Sequence, residues 1–134
     1  MRVILDTNIF ISGIFFGGLP LKILQSWRNQ KITIVISPEI LAEYIRVGEI
    51  LNKKYPTIDL TPFISLVAVN TEICNPRPLK VQVCTDPDDD KFLACAIRSN
   101  TEIIVSGDKA LLAVSGYRGI TVTTPRAFYD LYLR

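Results

Sequence analysis

The residues of this chain best suited to chemistry are carboxylates, and they fall at recurring kinds of place. Asp6 ends the apolar run RVIL, Glu43 lies inside SPEILAEYIRV, and Asp108 follows IIVSG. Asp86, Asp88, Asp89 and Asp90 crowd the front of the apolar stretch KFLACAI. Histidine is absent, which removes the usual general base, the Ser-His-Asp and Cys-His nucleophile arrangements, and every His-ligated zinc or iron site. A metal centre here must therefore use oxygen ligands, and such ligands favour Mg²⁺ or Mn²⁺ over softer ions.

Each acid also has an ordinary explanation. Asp6 and Asp108 suit a turn or helix cap at a strand-to-helix corner, and Glu43 suits a solvated pair with Arg46 one turn on. Acids at the start of a helix are stabilised by about 0.3–1 kcal/mol each. That accounts for one or two of the aspartates before KFLACAI, and four exceed the need. Helical spacing leads from Asp90 to Leu93, Ala94 and Ile97, and from Asp89 to Leu93 and Ala96. Both acids enter a helix that is apolar on most faces, so spacing does not choose between them. If Asp6, Glu43, one aspartate of this run and Asp108 converge, each like-charge pair about 4 Å apart repels by roughly 4 kcal/mol at an effective dielectric near 20. A divalent cation removes that penalty. It also activates water and offsets charge on a phosphoryl oxygen without any histidine.

Convergence needs a scaffold. RVIL (2–5), KITIVIS (31–37) and EIIVS (102–106) are short apolar runs of the kind that form buried parallel strands, with GITVTT (119–124) as a last strand. Ser37-Pro38-Glu39, Thr61-Pro62 and Thr124-Pro125 supply caps and prolines for helices starting near 38, 62 and 125. A weaker helix over 19–29 and one over 88–99 complete the alternation. CNPRPLKVQVC (74–84) reads as an irregular connection. The pattern predicts an α/β fold, a three-layer α/β/α sandwich with a mostly parallel sheet. Because ligands bind at the carboxyl ends of the strands in such sheets, Asp6 and Asp108 point toward one rim. The helix after the second strand brings Glu43 near it.

With 134 residues, 49% of them apolar, the chain suits one domain over 1–134. Its apolar runs are far shorter than the roughly 20 residues that span a bilayer, so the expectation is a soluble, cytoplasmic protein without a membrane role. Cys74, Cys84 and Cys95 are odd in number and lack C-x-x-C spacing, which favours buried reduced thiols. The formal net charge is +2, and with four acids assigned to a pocket the remaining surface is more basic still. That suits a phosphate polymer. The apolar stretch IFISGIFFGGLPL (9–21) offers either a contact surface or ordinary core.

VILDTNIFISG, SPEILAEYIRV, DPDDDKFLACAI and IIVSGDKALL, in this order and spacing, resemble the PIN-domain nucleases over nearly the whole chain. The likeness is closest to the bacterial and archaeal toxins of toxin–antitoxin systems related to the VapC ribonucleases. The resemblance implies that Asp6, Glu43, Asp90 and Asp108 are the catalytic metal ligands, and it selects Asp90 over Asp89. It implies support from Asn8, Ser12, Ser106 and Asp86, and leaves Asp88 as a helix cap. The function it implies is Mg²⁺- or Mn²⁺-dependent cleavage of single-stranded RNA by metal-activated water, as an endoribonuclease toxin with a cognate antitoxin and a homodimeric state. Two alternatives stand beside it. One is a catalytically silent PIN-fold module that binds RNA or protein. The other is a phosphatase of the haloacid dehalogenase type, echoed by DTNIF and SGD but lacking its acid/base, since Asn8 stands where that family has aspartate.

Overall fold

The computed structural model describes residues 1–134 and is built on a five-stranded, wholly parallel sheet with helices packed around it. The strands are β1 (Arg2–Leu5), β2 (Thr33–Ile36), β3 (Thr71–Ile73), β4 (Ile103–Val105) and β5 (Thr121–Thr123), in the spatial order β3-β2-β1-β4-β5. The chain leaves β1 toward β2 on one side and later places β4 on the other. The carboxyl ends of β1 and β4 thus flank the point where the winding direction changes, the usual ligand crevice of such sheets. In the register Ile4 pairs with Ile104 and Leu5 with Val105, so Asp6 emerges beside Ser106.

The helices are α1 (Thr7–Phe15), α2 (Gly18–Arg28), α3 (Pro38–Lys54), α4 (Thr61–Asn70), α5 (Asp90–Ser99), α6 (Lys109–Leu112) and α7 (Pro125–Phe128). Their starts follow local chemistry. Ser37 Oγ accepts from the Ile40 amide at 3.2 Å and Thr124 Oγ1 from the Ala127 amide at 3.2 Å, each with a proline in the first turn. At α4 the cap differs from expectation: Thr61 is already helical, and Asp59 Oδ1 takes its amide at 2.9 Å. Three elements went unread in the sequence: α1, directly after Asp6, the edge strand β3, and α6, a single turn after Asp108.

The stretch 9–21 forms most of α1 and the start of α2, and Ile9, Phe10, Ile11 and Ile14 are buried in it. Ordinary core is therefore its main role, although Phe16 remains 61% exposed. A Cβ on Gly13 would meet Leu24 Cδ1 at 2.5 Å and the Pro20 carbonyl oxygen at 3.0 Å, so a larger residue would have to displace the buried Leu24 between α1 and α2. One cluster of 27 buried residues runs through the sheet and helices, with Trp27, Phe92 and Phe128 its largest members. Trp27 also donates to the Asn70 carbonyl at 2.9 Å, tying α2 to the end of α4.

All cysteines are free thiols: Cys84 and Cys95 are buried and Cys74 is half-buried, with its sulfur 3.3 Å from that of Cys95. No single helix is long and apolar enough to cross a membrane. The apolar pair α1 and α2 bends by 96°.

Candidate functional site

Asp6 opens the site. The sheet extends by one bond beyond the strands, from the Asp6 amide to the Val105 carbonyl at 2.9 Å, which fixes its backbone at the rim. Its side chain is buried at 5% exposure, and Ser106 Oγ donates to its Oδ2 at 2.6 Å. Ser106 is itself fully buried and accepts from the Asp108 amide at 3.0 Å. One hydroxyl thereby locks the ends of β1 and β4 together. Asp108 is half-buried and caps α6, its Oδ1 accepting from the Ala110 amide at 2.9 Å. Burial holds the Asp6 carboxyl above its ordinary range against the lowering effect of Ser106, and the charges of Asp108 and Glu43 add to the rise. These acids are near enough to feel one another.

Glu43 reaches the same rim because its neighbour anchors α3. Tyr44 is buried, donates its hydroxyl to the Leu5 carbonyl and stacks on Phe10 with ring centres 4.3 Å apart. That carbonyl belongs to the residue before Asp6, so α3 is pinned to the end of β1. One Glu43 oxygen accepts from Thr7 and the other binds the Lys91 ammonium. Lys91 also contacts Asp88 at 2.8 Å. The expected pairing of Glu43 with Arg46 is replaced by these bonds. Burial works against the Lys91 charge, yet Asp88 and Glu43 hold its pKa above the usual lysine value, and Lys91 in turn draws Asp88 below the usual carboxylate range.

The aspartate run divides, and Asp90, the ligand the resemblance implied, faces away from the other acids. Asp90 turns both oxygens onto the connection before it, accepting from the Val83 amide at 3.0 Å and the Cys84 amide at 2.7 Å. Burial opposes its charge, but these two donors outweigh that and lower its pKa. Its carboxylate is committed to holding residues 83–84. Asp89, in the 3-10 turn Pro87–Asp89, is the acid that faces the cluster. It is buried at 9% exposure, and its Oδ2 has no hydrogen-bond partner. Burial pushes its pKa to about 7, helped first by the adjoining Asp108 carboxyl and then by the charges of Asp6 and Asp86.

The remaining residues have lesser places. Asp86 is exposed and caps the 3-10 turn, accepting from the Asp88 amide at 3.0 Å; the cap role expected of Asp88 thus falls to it. Asn8 is exposed and Ser12 half-buried, and neither side chain bonds to the acids. The structure therefore gathers Asp6, Glu43, Asp89, Asp108 and Ser106, and leaves out Asp90, Asn8 and Ser12. The reading of the residues passed over Thr7 and Lys91, although a lysine directly after three aspartates was a visible signal.

No three Asp, Glu or Cys side chains are closed up tightly enough to grip an ion in the conformation described. The chemistry of the donor set nonetheless fits a hard divalent cation. Every candidate ligand is an oxygen, neighbouring carboxylates help to raise the pKa of Asp6 and Asp89, and one buried carboxylate oxygen lacks any partner.

Comparison with known proteins agrees with this architecture. The chain is 34% identical over 121 residues to the uncharacterized protein MJ1680 of Methanocaldococcus jannaschii, covering 85% of this chain and 75% of that protein. Among solved structures it is similar to VapBC2 from Rickettsia felis, bound to a DNA fragment from their promoter. The TM-score is 0.59 at 17% identity, over 92% of this chain and 98% of that one, a likeness of fold. The family model described as PIN domain matches residues 2–110, a span holding every acid of the rim, and the chain belongs to the PIN domain family.

Proposed function

We propose that this protein is a metal-dependent endoribonuclease that cleaves single-stranded RNA. The observation that carries the reading is the buried, unpartnered Asp89 oxygen set among the carboxylates of Asp6 and Asp108. Burying such a group without a partner costs roughly 1–3 kcal/mol or more, a cost that ligand binding removes. Asp6, Asp89 and Asp108 are the residues that would hold Mg²⁺ or Mn²⁺, with Glu43 the fourth. When bound, the ion supplies activation of water and offsets charge on the phosphoryl oxygen.

The chain's own groups do the rest. Ser106 fixes the Asp6 carboxylate by its hydrogen bond and keeps the β4 end in register with it. Thr7 holds one oxygen of Glu43, and Lys91 occupies the other, where it competes with an arriving cation. Asp89, with a pKa near 7, sheds its proton readily as a cation arrives. Asp90 steadies the end of the connection before α5 through the Val83 and Cys84 amides.

The likeness to VapBC2 supports a further part of the proposal, that the protein is a toxin with an antitoxin partner; a homodimeric, cytoplasmic state is carried over from the family resemblance alone. The test compares wild type, Asp89→Asn and Asp90→Asn for cleavage of labelled RNA with and without Mn²⁺, beside the shift in thermal midpoint that Mn²⁺ produces. Both responses are expected in wild type and both lost in Asp89→Asn. Wild-type protein that neither binds Mn²⁺ nor cuts RNA sinks the reading and favours a silent binding module.

A further inference from the structure

Away from the acids, the connection 74–86 and the outer face of α5 enclose a cleft of about 720 Å³. Its charged lining is entirely basic: Arg77, Lys80, Arg98 and Arg118. All are exposed, and none takes part in any side-chain hydrogen bond or salt bridge. Unpaired cations gathered at one concave place repel one another, and a polyanion relieves that repulsion.

Arg118 adds a separate sign of function. It adopts φ 50° and ψ 33°, the left-handed region, between Gly116 and Gly119, which are left-handed too. For a residue with a side chain this conformation costs roughly 1–2 kcal/mol, and such strain persists where the position has a use. Here a glycine would be free of strain, but it would not place a guanidinium at the cleft.

The cleft continues toward Lys91. Arg77, Leu79 and Ala94 also line a neighbouring cleft of about 260 Å³, whose wall includes Lys91, the partner of Glu43. From Lys91 to Arg98 the groove follows one face of α5 for about 10 Å, at a rise of about 1.5 Å per residue. Near the rim its charge is mixed, since Glu39 and Asp90 join the lining. Farther out, Tyr117 and Leu79 sit among the cations, giving flat apolar surface for bases beside charge for phosphates.

We propose that this groove is the track for a single strand of nucleic acid, with Arg77, Lys80, Arg98 and Arg118 on its phosphates and Tyr117 against a base. An acidic protein segment would use the charges but has no need of the aromatic ring, and would be repelled where Glu39 and Asp90 join the lining. The proposal rests on the nuclease reading for the identity of the strand as RNA, and its test does not depend on cleavage.

Binding of a labelled oligouridylate of about 12 nucleotides is followed by fluorescence anisotropy in EDTA across a salt series, with the Asp108→Asn protein as parent. Removing three cations by Arg77→Ala, Arg98→Ala and Arg118→Ala is expected to reduce the salt slope of log K by about 2 and to weaken low-salt binding by at least about tenfold. Lysine at the same three positions should keep both. A control of equal charge, Arg28→Ala with Lys31→Ala and Lys53→Ala, should change neither. Arg118→Gly should raise the thermal midpoint while weakening binding, a split that a purely structural arginine would not give. Equal losses in both alanine triples overturn the proposal, as does unchanged binding in the groove triple. A groove triple that spares the oligonucleotide but loses polyglutamate also overturns it, in favour of an acidic protein. If the parent binds as expected yet wild type cuts no RNA with Mn²⁺, the groove stands and the nuclease reading falls.

Discussion

The two charged regions of this molecule are built on opposite terms. At the rim of β1 and β4, Asp6 and Asp89 are buried, their carboxyls held above the ordinary range. Along the outer half of α5, Arg77, Lys80, Arg98 and Arg118 are exposed and free of ion pairs. Desolvated charge is expensive until a counter-charge arrives, whereas exposed charge costs little to keep. On the function proposed above, the rim would take a tightly held cation, and the groove would make weak, salt-sensitive contact with many phosphates. Lys91 stands between them and is the one cation that the rim already holds, through Glu43.

The sharpest way to break this contrast is to remove a buried acid. Asp89→Asn, Asp6→Asn and Asp108→Asn should each lower RNA cleavage by roughly a hundredfold or more, the scale of losing a group that stabilises charge in the transition state. Initial rates under saturating Mn²⁺ decide the point, and a variant within a few-fold of wild type removes that residue from the site.

Next in size is the split between adjacent aspartates. Asp90→Ala removes two charge-assisted bonds to the Val83 and Cys84 amides and should cost about 2–3 kcal/mol of stability. Asp89→Asn should instead stabilise the metal-free protein. Urea unfolding without divalent ions measures both. A destabilised Asp89→Asn means that the burial of Asp89 was already compensated.

The same pair gives a pH signature. The folded pKa of Asp89 is about 7, while an unfolded aspartate titrates near 3.9. Between those values the native state keeps a proton that the unfolded chain has lost. The contribution of Asp89 is therefore fully present below about pH 4 and disappears as pH rises through about 7. Asp90 and Asp88, with lowered pKa values, act the opposite way, and their contribution is lost on acidification. The difference between wild type and Asp89→Asn isolates the first effect and should widen from pH 4 to pH 8 in metal-free buffer. A constant difference contradicts the assignment.

The smallest expected effect concerns Lys91. Lys91→Met removes the cation that competes for Glu43 and should tighten Mn²⁺ binding by a few-fold in calorimetry, about 1 kcal/mol or less for a partly exposed pair. Weaker binding would show that Lys91 serves mainly to orient Glu43.

Much of this protein was legible because the signals are local. Apolar runs ending in Asp6 and in Ser106-Gly107-Asp108 marked strands whose last residues face one rim, and Ser37 and Thr124 marked helix starts by chemistry spanning three residues. The helix α1 was hidden because TNIFISGIF is apolar almost throughout and carries no period. Edge strand β3 was hidden because Thr71–Ile73 has no buried residue and so no apolar run, unlike the equally short β4 and β5. Thr7 and Lys91 were missed because their roles depend on Glu43, which is 36 and 48 residues away in the chain.

By itself the sequence determined that any ligands would be oxygens without histidine, that Asp6 and Asp108 would end parallel strands at one rim, and that the fold would alternate strand and helix. These follow from composition and short-range periodicity. Only the tertiary structure decided that Asp89 faces the cluster while Asp90 grips the backbone of residues 83 and 84. One residue along a helix turns the side chain by about 100°, and in a run of like residues nothing but the packed surroundings tells inward from outward.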